Sequence, residues 1–263
     1  MRANTILFHS DIVRVRAVHC AAAAGGCAPT EWSETHSIVF AEAGVFVKHL
    51  SRHAAVVADS GHAVFFSANR PYRVSHPMPG GDDCLVLEPS SSALADALRI
   101  VDPVSAERPE SPFRRAAIPL PPHLVVRRRL LHHRLVRGVA GALEVEEGAL
   151  ALLGASVRAS AERAPAPQPA GREARRRAEL AEAAQLIIAS QAADRWTLRA
   201  LARRIGCSPF HLARVFRDVV GLSIHQYQLR ARLSAALDTH VAIHGFPDGD
   251  TTSPYHTSEF GNV

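Results

Sequence analysis

The cationic side chains are where this sequence first offers chemistry. Lys48 is the only lysine among 263 residues, so nearly all positive charge is guanidinium. A guanidinium presents a planar fork that suits two-point contacts to phosphate and to the edge of guanine. The charge is also uneven. Residues 1–110 carry a balance of −3 and residues 111–263 one of +8, for a net +5. A GC-rich coding sequence would explain arginine in place of lysine, but not the concentration of the excess in the second half. The other reactive side chains are less organised. Cys20, Cys27, Cys84 and Cys207 show no CxxC spacing and read as thiols. Cys20, Cys27 and Cys84 would sense redox state only if exposed and lowered in pKa. Fifteen histidines are scattered through the chain, and no phosphate loop, GxSxG elbow or HExxH helix is present. No catalytic residue is assigned.

The elements that must position these groups fall into zones. Residues 1–89 read as short strands. Val13, Val15 and Ala17 alternate with Arg14 and Arg16. Ser37–Phe40 and Val45–Val47 flank a turn at Glu42-Ala43-Gly44. Ala54–Val57 and His62–Phe66 flank Asp59-Ser60-Gly61, a hairpin signal, and Tyr72–Ser75 and Cys84–Leu87 flank a turn at Pro79–Asp82. Such spacing suggests a sandwich or small barrel. Residues 90–158 read as a short helix capped from Ser90–Ser92, a proline-bearing connector and a helical hairpin. In the hairpin Leu124, Leu131 and Leu135 mark one helix and Leu143, Leu150 and Leu153 the other. The run Arg127-Arg128-Arg129 reads as a solvated face. Residues 159–171 contain the Pro/Ala stretch Ala164–Gly171, an extended linker. Residues 172–240 are helical and basic, with twelve arginines against five acids over Arg172–Arg232.

Within that last zone the local signals are dense. Thr197 can cap a helix over Leu198–Ile205, with Leu198, Leu201, Ala202 and Ile205 on one side. Gly206 can end it in a left-handed conformation. Ser208 and Pro209 then start a second helix, which runs over Phe210–Val219 and stops at Gly221. Leu212, Val215 and Phe216 share its buried side, and Phe210, Ala213, Arg214 and Arg217 the other. Two short helices about a glycine-containing turn make a helix-turn-helix, whose second helix enters the major groove of DNA.

The stretch Leu198–Arg217, with its continuation Gly221–Leu233, resembles the first helix-turn-helix of AraC/XylS-type transcriptional regulators. Ala202, Gly206, Ser208, Leu212, Arg214, Phe216, Gly221, Ser223, Tyr227 and Arg232 all match that pattern. Gly61, Phe65-Phe66, Asn69, Pro71-Tyr72 and His76-Pro77 resemble the cupin-type sensor barrel of one branch of the family. The resemblance implies an α+β chain: an N-terminal cupin-like β-barrel, a helical hairpin and an all-α helix-turn-helix domain. It places a sensor at residues 1–89 and DNA binding at 172–240. Phe210, Ala213 and Arg214 match the base-reading positions. Arg214 would pair with a guanine, Ala213 would meet a thymine methyl, and Phe210 would do the same or pack on a sugar. Ser208, Pro209 and the helix start would take phosphate through backbone N–H groups, and Arg199, Arg203 and Arg217 through charge. Tyr227 and Arg232 would support the long helix that follows. The implied partners are promoter double-stranded DNA, a small-molecule effector, a second copy of the chain and RNA polymerase. His36, Arg70, Arg73 and His76 are the effector-binding candidates.

The family pattern carries a second helix-turn-helix, which needs about forty further residues. Only 25 follow Asp238, rich in Gly, Pro, Asp, Thr and Ser. Residues 241–263 therefore read as a disordered tail left by truncation or a shifted frame. Enzymatic cupins hold a metal with an HxH…E cluster and a later histidine. Here Glu34–Ile38 offers only His36, and Pro71–His76 keeps the second motif with Arg73 in place of glycine. Two ligands are too few for a closed zinc site, so no metal or cofactor is assigned. No apolar run spans a membrane, and Ile6-Leu7-Phe8 is too short for a signal-peptide core, which makes the cytoplasm the expected compartment. Two other readings stay open: a cupin-fold metalloenzyme, and a dimerisation-only regulator that no longer binds DNA tightly.

Overall fold

The computed structural model describes residues 2–22, 25, 28–51, 54–162 and 171–243. The first half is antiparallel β structure in two sheets. The larger has the order β1-β2-β8-β3-β6-β9 and the smaller β5-β4-β7. The strands are β1 (Arg2–His9), β2 (Val13–Cys20), β3 (Ser37–Gly44), β4 (Phe46–Ser51), β5 (Ala54–Ala58), β6 (His62–Phe66), β7 (Arg73–Ser75), β8 (Asp82–Pro89) and β9 (Ala117–Pro119). Helices α1 (Ser91–Val101), α2 (Pro103–Ala106), α3 (Pro122–Val136) and α4 (Ala142–Ala161) follow or interleave. The C-terminal set is α5 (Arg172–Ser190), α6 (Leu198–Ile205), α7 (Pro209–Val220) and α8 (Ile224–Ile243). This is the α+β arrangement that the sequence implies. Among the described residues, no helix is long and apolar enough to cross a membrane.

Alternation in the strands serves two cores at once. Val13, Val15, Ile38, Phe40, Phe65, Leu85 and Leu87 turn one face of the large sheet toward α1, α3 and α4. Val39, Ala41, Val64, Phe66, Cys84 and Val86 turn the opposite face toward Phe46 and Ala58 of the small sheet and toward Tyr72, which bridges to Glu31 just before β7. Both faces of the central strands are therefore covered, so these strands read as continuous apolar runs. A third core joins Ala181, Ala184 and Ile188 of α5 to Leu201, Leu212, Phe216 and Tyr227.

Several sequence expectations change. The turn at Asp59–Gly61 does not close a hairpin: β5 pairs with β4, whereas β6 pairs with β3 and β9. It is a corner where the chain crosses between sheets, as are the links from β3 to β4 and from β7 to β8. Turn chemistry fixes the reversal of the chain but not the partner of the next strand. Residues Arg2–His9, of which only Ile6–Phe8 stood out, form a full strand held by pairing with β2. In α4 the buried side is Val145, Ala149, Leu152, Leu153 and Val157, while Leu143 and Leu150 are exposed. Helix α4 runs on to Ala161. Residue 163, residues 164–170 of the Pro/Ala stretch, residues 244–263 of the tail and Cys27 lie outside the described residues.

The arginine run on α3 is not a solvated face throughout. Arg127 is exposed, but Arg128 is fully buried. Arg128 donates to the carbonyl of Ala41 (2.6 Å) and lies 3.1 Å from Oε1 of Glu42. Glu42 occupies the register shift between Ala41 and Ala43 in β3, where an extra residue redirects the side chain toward α3. Burial works to raise the pKa of Glu42, but His132 and Arg128 outweigh it and hold the carboxyl below its ordinary value.

Candidate nucleic-acid interface

The helix-turn-helix is built from local signals that agree with one another. The Thr197 hydroxyl accepts from the backbone N–H of Ala200 (3.1 Å) and opens α6. Gly206 ends it at φ +81°, a left-handed conformation costly for residues with a Cβ. The Ser208 hydroxyl accepts from the N–H of His211 (3.2 Å), and Pro209 begins α7 where no intrahelical N–H is needed. Leu212, Val215 and Phe216 are the buried residues of α7, and Phe216 meets the ring of Tyr227 edge-on.

The opposite side of α7 is open. Phe210 is 79% exposed, a large apolar ring turned fully to solvent. Ser208, Pro209, Arg214 and Arg217 are exposed and Ala213 is half-buried. Arg199 and Arg203 of α6 are also exposed, as is Arg204, whose guanidinium lies 5.8 Å from the ring of Trp196. The acid of α7, Asp218, is engaged by Arg177 of α5. The exposed sides of α6 and the start of α7 thus carry a strongly positive surface with an aromatic ring and a small residue among the guanidinium groups.

The effector candidates do not gather in one place. His76 lines a cavity of about 140 Å³ between the sheets, together with Arg16, Val18, Cys20, Tyr72 and Asp82. His36 lies outside that cavity: its Nδ1 accepts from the N–H of Ala68 and its ring packs against Phe113. Arg70 is exposed, and Arg73 is exposed with its Nε donating to the carbonyl of Ala28. Arg16 is ion-paired with the buried Glu88. Burial and Asp82 push the Cys84 thiol well above its ordinary pKa, and burial pushes the Cys207 thiol up. Neither therefore has the lowered pKa that a reactive thiol needs.

Two groups of residues were not legible in the sequence. Lys48 is 5% exposed inside the β region, where its ammonium donates to the carbonyl of Phe65 and lies 3.7 Å from the centre of the Phe66 ring. Burial lowers its pKa to about 7. The second group joins the β region to the C-terminal helices. The buried hydroxyl of Tyr227 donates to Oδ2 of Asp59, whose Oδ1 takes the N–H of Gly61 (2.8 Å) and faces Nδ1 of His62 at 2.7 Å. Burial works to raise the pKa of Asp59, but His62, Tyr227 and Gly61 together hold it below the ordinary value. Beside this contact, Leu186 and Ala189 of α5 pack on Val45, Val47 and Val57. Tyr227 was legible as a support for α8, but not as a partner of a carboxylate on the far side of a domain boundary.

Comparison with known proteins bears on both halves. Residues 188–229 match the model for bacterial regulatory helix-turn-helix proteins of the AraC family. No curated protein matches the chain in sequence. Among solved structures, the chain is similar to the AraC-like transcriptional activator CuxR, with 17% identity over 87% of this chain and 78% of that one, and a TM-score of 0.42. It is similar to ToxT from Vibrio cholerae with 7% identity over 83% of this chain and 97% of that one, and a TM-score of 0.40. A cupin superfamily protein from Desulfitobacterium hafniense shares 13% identity over 34% of this chain and 77% of its own, with a TM-score of 0.28.

Proposed function

We propose that this chain is a sequence-specific DNA-binding regulator of transcription. The observation that carries the reading is the AraC-type helix-turn-helix at residues 188–229, with a second helix whose solvent side is basic. In this reading α7 lies in the major groove. Arg214 pairs with a guanine, Ala213 and Phe210 meet thymine methyl groups or sugar, and Ser208 and Pro209 set the helix start against a phosphate. Arg199, Arg203 and Arg217 neutralise further phosphates. The β region, residues 1–89, is the sensor, and residues 172–240 bind DNA. A small molecule held in the cavity of the β region, with His76 as the candidate contact that lines it, shifts the protein by binding its DNA-competent arrangement better than the other. The chain acts in the cytoplasm as a homodimer, contacts RNA polymerase and catalyses no reaction.

Fluorescence anisotropy on the DNA upstream of the chain's own gene, across a salt series, tests this. Binding should weaken steeply with salt. Arg214→Ala should cost about 1–3 kcal/mol on the best site and relax discrimination at one base pair, whereas Arg203→Ala should weaken all sequences alike and reduce the salt slope by about 1. Failure to bind that DNA at low salt, or affinity unchanged by Arg214→Ala, would overturn the assignment.

A further inference from the structure

Inside the β region, three donor atoms of different chemistry converge with no role in DNA recognition. One ligand atom each from Cys20, His76 and Asp82 lie within 4.8 Å of one another. The strands impose this arrangement. Cys20, the last residue of β2, is directly opposite Asp82, the first of β8, in their antiparallel register. Directly opposed residues in such a pair hold their side chains side by side on one face. Gly81 draws the turn before β8 against Cys20 so closely that a Cβ there would lie 1.5 Å from the Cys20 carbonyl oxygen. His76 follows β7, and its Nε2 lies 2.6 Å from Oδ1 of Asp82.

We propose that Cys20, His76 and Asp82 form a binding site for a divalent transition-metal ion of the zinc class. A thiolate, an imidazole and a carboxylate are the donor set that a borderline-soft ion takes, and they disfavour magnesium or calcium, which want oxygen alone. The dimensions suit it. Bonds of about 2.0–2.3 Å to a tetrahedral ion place neighbouring ligand atoms roughly 3.3–3.8 Å apart, so the His76–Asp82 hydrogen bond opens by about 1 Å and the three atoms otherwise draw in slightly. The carboxylate is already oriented: Sγ of Cys84 donates to Oδ2 of Asp82 at 3.0 Å, leaving Oδ1 toward His76. Such an outer partner fixes a ligand in its binding pose. Three protein ligands leave a fourth position open, and all three line the cavity between the sheets. That position is available to water or to a donor atom of a small molecule in the cavity. The ligand set is not the one that the sequence motifs suggested, because His36 lies outside this cavity.

The site does not rest on DNA binding, and its test is independent of it. The purified full-length chain, stripped with a chelator, is titrated with cobalt(II). The expected result is one ion per chain, with a sulfur-to-cobalt charge-transfer band that stoichiometric zinc(II) abolishes. Cys20→Ser should remove the band and lower affinity at least tenfold. His76→Gln should lower affinity tenfold or more with the band kept, and Cys84→Ala by about 10–100-fold with the band kept. Cys207→Ser, which changes a thiol in the turn between α6 and α7, should alter nothing. Far-ultraviolet circular dichroism establishes that each variant is folded. A folded chain that takes up no cobalt, a band that survives Cys20→Ser, or a band lost in Cys207→Ser would overturn the proposal.

Discussion

At the scale of single residues, the structure turns on charges that the β region encloses. Lys48 gains a carbonyl and an aromatic face but loses water, and burial wins, lowering its pKa to about 7 from 10.5. In the unfolded chain the amine keeps its ordinary value, so between those limits the unfolded state binds more protons than the folded one. Stability should therefore rise as pH rises from about 7 toward 10.5. Lys48→Met should flatten that dependence, read as thermal unfolding midpoints across that range. Arg128 has the opposite character, because its charge is answered by Glu42 and by the carbonyls of Ala41 and Ser60. Arg128→Met should leave these groups buried without their donor and cost about 3–5 kcal/mol in urea unfolding. Neither residue announced its burial. An arginine in a run of three on an amphipathic helix normally faces water, and only the bulge at Glu42, distant in sequence, makes an interior position tolerable.

At the scale of elements, the helix-turn-helix was legible and the sheet pairing was not. Thr197, Gly206, Ser208 and Pro209 act on backbone groups within four residues of themselves, so their meaning is complete in a short window of sequence. The strands of the β region were visible as strands, but the corners at Asp59–Gly61 and Glu42–Gly44 have ordinary turn residues and lead to partners in another sheet. Partner choice depends on which faces can be covered at once, and that is a property of the assembled layers. The convergence of Cys20, His76 and Asp82 was hidden for the same reason, since it follows from the register of β2 against β8. Gly81 is the element-scale control. Gly81→Ala has no room for its Cβ and is strained at φ +81°. It should cost about 3 kcal/mol or more and expose the β2 and β8 amides to hydrogen exchange, while α6 and α7 keep their protection.

At the scale of the molecule, the β region and the helix-turn-helix share a buried hydrogen bond. The Tyr227 ring belongs to the core of α5–α8, and its hydroxyl belongs to the corner between β5 and β6. Tyr227→Phe keeps the ring and its contact with Phe216 but leaves a buried carboxylate oxygen short of a donor, at a cost of about 1–3 kcal/mol. Hydrogen exchange should quicken together at the β5–β6 corner and in α8. Change confined to one side would show that the two regions are uncoupled. The same contact gives an acid limit. Asp59 is held below its ordinary value, so its contribution is present above the unfolded carboxylate range and is lost as pH falls through the depressed folded value.

The enclosure of Lys48 also governs how this protein can be handled. With its sole lysine walled in behind Phe66 and Tyr72, the folded chain has no side-chain amine at its surface. Acylating dyes, amine-directed crosslinkers and isopeptide-forming conjugation enzymes will find no lysine to modify until the β region opens. Modification of Lys48 is thus a chemical clock for that opening.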